Sequence, residues 1–493
     1  MEHAKFNVRG THEHGYAVLN AYCYMLEVAN PGSKTTLSLD ENGRFKYFFV
    51  SYVTWITGFQ EMRKVVAVDG TFLRSKYEGV LVSTVNQDAE KHIFPVAFCV
   101  VDKECDVSYE YFFQNMRSFV DDTDELCIIS DRHPSIRKMV STIYPASHYG
   151  CCMKHLGENI RNNFHNSKVV THFYKAAKAY DRCEFNDHYQ IRNLVPKAAE
   201  TLERIGFHTW SRAFCPGNRY NIMTSNIAKS VNSMFDVERE FPIVALFDEI
   251  NRRFALLFHQ RHMELVNSAN RFVPSIEKDI SKYVNAGNKL LAHQIANYKC
   301  SVTGHDDVAM VDVQRTCTCR IFDLHKIPCP HVMAVLRAQY GANFENPIYE
   351  YSSPYYSVKK YIMAYCEKIH PVPPKDSWIV PLDVIKREIP PPYVDQSKPG
   401  RRRYKRRRGY DFFKRSDSNG LGILSQAADG DHIGASYVLA IISIFNGGES
   451  MREGIMCMGD VCCLFLSDLC LMEGGLVTEC MGSSDPPPFK KEW

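Results

Sequence analysis

The chain has 493 residues, of which 45% are apolar and 12% aromatic. That is enough for about two or three domains with real cores and too apolar for a wholly disordered protein. The net charge of +3 excludes a uniformly basic or acidic protein, and no apolar run reaches the roughly eighteen residues of a membrane span.

Residues 1–60 read as an amino-terminal appendage. Leu37 and Leu39, then Phe45, Tyr47 and Phe49, alternate on either side of Asn42-Gly43, the pattern of a β-hairpin. From 61 to 265 an α/β order takes over. Residues 65–68 form a short buried strand ending at Asp69, and 79–86 and 93–101 form two more. Tyr109, Phe112, Phe113, Met116 and Phe119 recur at helical intervals. A fourth strand at 126–130 ends at Asp131, a helix spans 134–143, and a fifth strand covers 148–152. This order is that of an RNase H-like sheet. Residues 153–215 read as an all-α insertion, and 225–265 as two helices divided at Pro242.

Residues 300–345 hold the most specific motif. Cys317, Cys319, Cys329 and His331 offer three thiolates and one imidazole, a ligand set for a closed tetrahedral zinc. In an extended strand Cys317 and Cys319 would face one point while Thr318 turns away. Pro330 suits the first turn of a helix, which continues through Val332, Val335, Leu336 and Tyr340. With four protein ligands the zinc holds a fold together and activates no water. The pattern Cys-x-Cys-x(9)-Cys-x-His resembles the SWIM-type zinc finger.

From 370 to 493 the chain reads as a Pro/Arg-rich linker and a poorly ordered tail. Residues 398–408 contain Arg401, Arg402, Arg403, Lys405, Arg406, Arg407 and Arg408, with Lys398 and no acid. Such a run is a nuclear-import address or a phosphate-binding arm. Eighteen cysteines spread without regular pairing, and an amino terminus unlike a secretion signal, point to reduced thiols in an intracellular, nuclear protein without a membrane anchor.

Asp69 and Asp131 follow two strands that lie side by side in such a sheet, where paired carboxylates can bridge Mg²⁺ or Mn²⁺ for phosphoryl chemistry. Around them Val68-Asp69-Gly70-Thr71-Phe72-Leu73, Ser130-Asp131-Arg132, Cys152-Met153-Lys154-His155-Leu156 with Asn159, and Thr224-Ser225-Asn226 with Ser230 and Asn232 together resemble the successive motifs of Mutator-like element (MULE) transposases of the plant type, from about residue 10 to 408. The resemblance implies a DDE nuclease and strand-transferase on an RNase H-like core with an all-α insertion. Its first two acids fall on Asp69 and Asp131, and its third position, a Glu, is Lys229 in this chain.

A lysine cannot ligate a divalent cation while charged, and the exchange shifts the local charge by two units against metal binding. Asp236 and Glu238 lie about 10 and about 13 Å further along the chain if the helix continues, too far to take its place. Cys152 and His155 match the family's Cys-x-x-His and read either as half of a metal site or as a buried thiol beside a helix-start histidine. His165 and His172 lie close to them in sequence, while His133, His148, His259 and His262 read as structural. The expectation is a nuclear, zinc-binding, transposase-derived protein that is catalytically inactive. It would bind DNA, or protein partners through the zinc module. The alternatives are an active DDE transposase, which alone would need Mg²⁺ or Mn²⁺, and a degenerate element without selected function.

Overall fold

In the computed structural model, which describes residues 10–217, 219–304, 308–312 and 316–393, the chain opens with two helices, α1 (His12–Ala17) and α2 (Leu19–Ala29). The basic run at 398–408 and the tail after it lie outside the described residues. Strands β1 (Lys34–Leu39) and β2 (Phe45–Ser51) then pair antiparallel with Leu39 opposite Phe45, so Asn42-Gly43 falls in the turn. After α3 (Val53–Gln60) come β3 (Val65–Phe72), β4 (Val80–Gln87), β5 (Ile93–Val101), α4 (Asp106–Arg117), β6 (Cys127–Ser130), α5 (Pro134–Ile143) and β7 (His148–Cys151).

These strands form a seven-stranded sheet in the order β1-β2-β5-β4-β3-β6-β7. Strand β4 runs antiparallel to both β3 and β5, whereas β6 runs parallel to β3 and β7 parallel to β6. The hairpin, expected as an appendage, is continuous with this sheet: Phe48, Phe49 and Val50 of β2 pair with Val100, Cys99 and Phe98 of β5. Phe48 and Phe49 point to opposite faces and both are fully buried, so each face of β2 needs a covering layer that a free hairpin lacks.

Strand β3 outruns its parallel neighbour. The β3–β6 ladder ends at Val68 opposite Ser130, while the antiparallel ladder with β4 continues from Asp69 opposite Ser83 to Phe72 opposite Val80. Asp69 therefore lies inside its strand rather than at its end. Asp131 leaves the sheet one residue after Ser130, at the next position of the same register.

Residues 153–210 are helical: α6 (Met153–Phe164), α7 (Ser167–Lys178), α8 (Arg182–His188), α9 (Ile191–Leu194), α10 (Pro196–Ile205) and α11 (Phe207–Trp210). They enclose their own apolar core around Leu156, Phe173, Phe185, Leu202 and Trp210. The chain then returns to the sheet with α12 (Asn226–Met234) and the long α13 (Ile243–Leu265), which begins after Pro242. Phe254 of α13 packs edge-on against Trp55 and meets Phe98, so aromatic rings seal this face of the sheet.

A smaller α/β module follows α14 (Pro274–Gly287). Strands β8 (Leu291–Ala296), β9 (Lys299–Thr303), β10 (Val308–Asp312) and β11 (Thr316–Cys317) form a four-stranded sheet, followed by α15 (Ile321–His325) and α16 (Pro330–Tyr340). Helix α14 approaches α16 so closely that a Cβ at Gly287 would stand 2.7 Å from the Pro330 carbonyl oxygen and 2.8 Å from Met333 Cβ, which reserves the position for glycine. Val332, Val335 and Leu336 are buried as the spacing predicts, but Tyr340 is 46% exposed. Each i,i+4 step drifts about 40° around a helix, and two steps carry Tyr340 off the buried stripe. Among the described residues no helix is long and apolar enough to cross a membrane.

Candidate metal centre and acidic pocket

Cys317 ends β11, and the backbone turns immediately after it. Arg320 N donates to the Cys317 carbonyl at 2.8 Å, and Arg320 adopts a left-handed φ of 55°. Thr318 still pairs with β10, its N–H donating to Met310 O at 2.9 Å and its hydroxyl accepting from Met310 N at 3.0 Å. The extended geometry expected of Cys-x-Cys thus lasts only to Thr318, and a tight turn presents the Cys319 sulfur. Cys329 is the N-cap residue of α16, Pro330 occupies its first turn, and His331 follows.

The four ligand atoms of Cys317, Cys319, Cys329 and His331 lie within 4.8 Å of one another. The Cys317 and Cys329 sulfurs stand 3.7 and 4.0 Å from His331 Nδ1. Ligands about 2.0–2.3 Å from one central ion have tetrahedral edges of roughly this length, so the donor set and its spacing fit Zn²⁺. Hydrogen bonds with Cys317 and Cys329 hold the Cys319 thiol well below the usual cysteine range, which favours the thiolate that a metal needs. Asp323 Oδ2 accepts from Cys317 N at 3.1 Å and steadies the turn.

The module is fastened to the helical insertion. Arg320 Nη1 donates to Ala213 O at 2.7 Å, and the two ring nitrogens of His325 meet the hydroxyls of Tyr180 and Tyr283 at 3.1 and 3.3 Å. Burial, followed by the Arg212 charge, lowers the His325 pKa to about 4, so this joint is built around a neutral imidazole.

The second candidate site surrounds Asp69, which is only 8% exposed. Asn232 of α12 donates its side-chain amide to Asp69 Oδ2 at 2.8 Å. Burial first, and then the Asp131 charge, raise the Asp69 pKa to about 6, while His155 and Lys229 pull it down. Asp131 Oδ1 accepts from His133 N at 3.2 Å, and its backbone carbonyl accepts from Tyr149 at 3.0 Å. Lys229 thus sits within electrostatic reach of Asp69, on the helix that also carries its amide partner. Asp236 and Glu238 are committed elsewhere: Asp236 pairs with Arg74 and Arg239, and the buried Glu238 with Arg253.

Glu104, three residues beyond β5, also acts on Asp69, and no motif in the sequence marks it. Its Oε1 accepts from Tyr109 at 2.7 Å and lies over Gly70, where a Cβ would meet it at 2.6 Å. The available signal is register: Val101 at the end of β5 pairs with Val80, which pairs with Phe72. Even so, among the described residues the zinc-type cluster alone brings three or more Cys, His, Asp or Glu ligand atoms within 4.8 Å of one another. Asp69, Asp131 and Glu104 do not.

Cys152 and His155 stand together at the start of α6. Cys152 is 1% exposed and accepts from Ser225 N at 3.2 Å. His155 Nδ1 lies 3.5 Å from Ser225 Oγ. Burial alone would raise the Cys152 thiol, but hydrogen bonds with His155 and Ser225 bring it down to about 7. The Cys152 hydrogen bond in turn raises His155. His165 closes the C-terminus of α6 with a φ of 49°, and His172 Nδ1 lies 2.9 Å from His188 O. Neither joins Cys152 in a ligand cluster among the described residues.

Residues 65–159 match the family model of the MULE transposase domain, a span that contains Asp69, Asp131, Cys152 and His155. Residues 298–340 match the SWIM zinc finger, with all four clustered ligands inside the match. No curated protein matches the chain.

Proposed function

For a chain that carries a MULE transposase domain followed by a SWIM zinc finger, we propose a transposase-derived, DNA-binding nuclear protein whose nuclease centre is silent. The observation that carries this reading is Lys229 beside the buried Asp69. Around the Asp69 carboxylate the site sets an ammonium, an amide donor and an imidazole, and Asp131 and Glu104 do not close on it as a ligand cluster. Two-metal phosphoryl transfer needs a cluster of hard oxygen ligands. The antiparallel β5-β4-β3 order with β6 and β7 added in parallel supports an RNase H-like core.

Zn²⁺ in this reading is structural, held by Cys317, Cys319, Cys329 and His331. It supplies folding energy to the module and leaves no coordination position for substrate. DNA contact rests on the basic residues at 398–408, which favour sequence-independent, salt-sensitive binding. Protein partners are assigned to the zinc module. The position of Glu104 near Asp69 favours the competing reading of an active DDE enzyme with a rearranged acid. Against that reading stand the bond from Tyr109 to Glu104 and the spread of the three carboxylates.

The deciding experiment incubates the purified full chain with labelled duplex DNA in Mg²⁺ and in Mn²⁺, with Asp69→Asn as control. The expected result is salt-sensitive binding without cleavage. Asp69-dependent cleavage would overturn the silent-site reading, and absence of DNA binding at low salt would overturn the binding reading.

A further inference from the structure

A cavity of about 660 Å³ lies on the other side of α12 from Asp69. Helix α12 separates the two sites: Asn226, Ile227 and Ser230 line the cavity, while Asn232 bonds Asp69 and Lys229 acts on it. The cavity also receives Arg63, Lys91 and Arg261, and no acidic residue lines it. Its size falls within the roughly 300–1,000 Å³ that houses ligands of nucleotide scale.

The two arginines are fixed in place. Each is 7% exposed. Arg63 Nη2 donates to the carbonyls of Gln87 and Asp88 at 3.0 and 2.7 Å, and its guanidinium lies over the rings of Tyr220 and Tyr356, 5.6 Å from each centroid. Arg261 Nη1 donates to Ile93 O and to the Tyr365 hydroxyl. Asp88 acts on Arg261, but its carboxylate already meets Tyr365 at 2.8 Å and His92 at 3.3 Å, and Glu264 acts on His92 as well. None of these acids lines the cleft, whose charged lining side chains are cationic.

Strain marks the same place. Of the non-glycine residues with positive φ, Lys91 (68°), Tyr220 (46°) and Asn221 (65°) all line this cavity. A left-handed tyrosine is costly and persists where the surroundings over-determine it, a frequent property of ligand clamps. The lining combines the cations Arg63, Lys91 and Arg261 with the apolar side chains of Ile222, Met223 and Ile227 and the ring of Tyr220. That combination suits phosphates on the cations and bases against the apolar and aromatic side chains.

We infer that this cleft binds single-stranded DNA, with phosphates on Lys91, Arg63 and Arg261 and bases against the apolar and aromatic side chains. The inference deepens the DNA-binding reading and rests on it, but it uses residues separate from the run at 398–408. A duplex is too wide for a cavity of this size.

The test uses the full chain with the eight basic residues of 398–408 changed to glutamine, which removes the arm. Binding of a fluorescent oligothymidylate is read by anisotropy across a salt series, alongside duplex DNA, a free nucleotide and an oligoglutamate peptide. Lys91→Asn removes the charge while tolerating the left-handed backbone, and Ser230→Tyr fills the cleft from α12. Circular dichroism and zinc content verify that each variant is folded.

Single-strand binding that survives loss of the arm should weaken at least about fivefold in each variant. Lys91→Asn should also reduce the salt slope by about 0.7, the value for one phosphate contact on a single strand. Three outcomes overturn the inference: no residual binding once the arm is neutralised, residual binding unchanged by both variants, or preference for the peptide or the free nucleotide over the strand. The first of these leaves binding through the arm intact. Failure of the unaltered chain to bind any DNA defeats the parent reading instead.

Discussion

Asn232 holds Asp69 by a 2.8 Å hydrogen bond to Oδ2, and the two residues are 163 positions apart in the chain. The bond crosses from α12 to the centre of the main sheet, so a helix that follows the whole helical insertion closes over an acid that precedes it. The same helix brings Lys229 into the field of that acid. An active metal site would leave both carboxylate oxygens open to cations. Here one accepts from an amide, and a lysine and a histidine bias the remaining field toward positive charge.

Asp69→Asn is expected to stabilise the protein at neutral pH. The folded carboxyl titrates near 6 against an ordinary 3.8, so between these values the folded state binds more protons than the unfolded state. The Asp69 contribution to stability is then most favourable below pH 3.8 and is lost as pH rises through 6. Asparagine removes this cost and still accepts the Asn232 bond. The gain should reach about 1–3 kcal/mol at pH 7.5 and vanish below pH 4, read from denaturant midpoints across pH.

Lys229→Glu should create divalent-metal affinity where the natural chain has little, because it replaces a repelling ammonium with a hard oxygen ligand beside Asp69. Removing the cation also withdraws an influence that keeps the Asp69 pKa down, so binding should strengthen as pH rises from 6 to 8. Mn²⁺ titration by calorimetry checks this. Equal affinity in the two proteins would show that Lys229 does not govern the site.

Cys329→Ser should release zinc and unfold the module at 298–340. A structural zinc contributes of the order of 10 kcal/mol to folding, far more than so small a sheet retains without it. The damage should spread to the insertion through Arg320–Ala213 and His325–Tyr180. Hydrogen exchange should accelerate both within 298–340 and around 207–215. Elemental analysis should give one zinc per natural chain and none in the variant.

His325→Gln should flatten the loss of stability in mild acid. The imidazole titrates near 4 in the folded state against an ordinary 6.5, so in that window the unfolded state binds more protons and stability falls as pH is lowered. Glutamine keeps a partner for Tyr180 or Tyr283 without titrating. Relative to the natural chain, the variant should lose about 1–3 kcal/mol less between pH 6.5 and 4, measured by urea unfolding at fixed zinc.

The zinc ligands, the strands of the α/β core and the identity of Lys229 were legible in the chain because each is a local matter. Ligand spacing, alternating apolar residues and a motif position need no knowledge of distant partners. Tertiary structure decided what happens around them. Whether the hairpin stands apart or extends the sheet depends on the pairing of β2 with β5, a contact about fifty residues away in sequence. Glu104 and Asn232 reach Asp69 through strand register and the return of α12; a motif marks Asn232 but not its partner, and no local pattern marks Glu104. The apolar and cationic side chains of the cleft come from the turn before β3, from β4, β5 and the turn between them, from residues 220–230 and from α13. Side-chain period and ligand spacing are properties of a few consecutive residues, whereas the charge and burial of a pocket are sums over residues that only folding brings together.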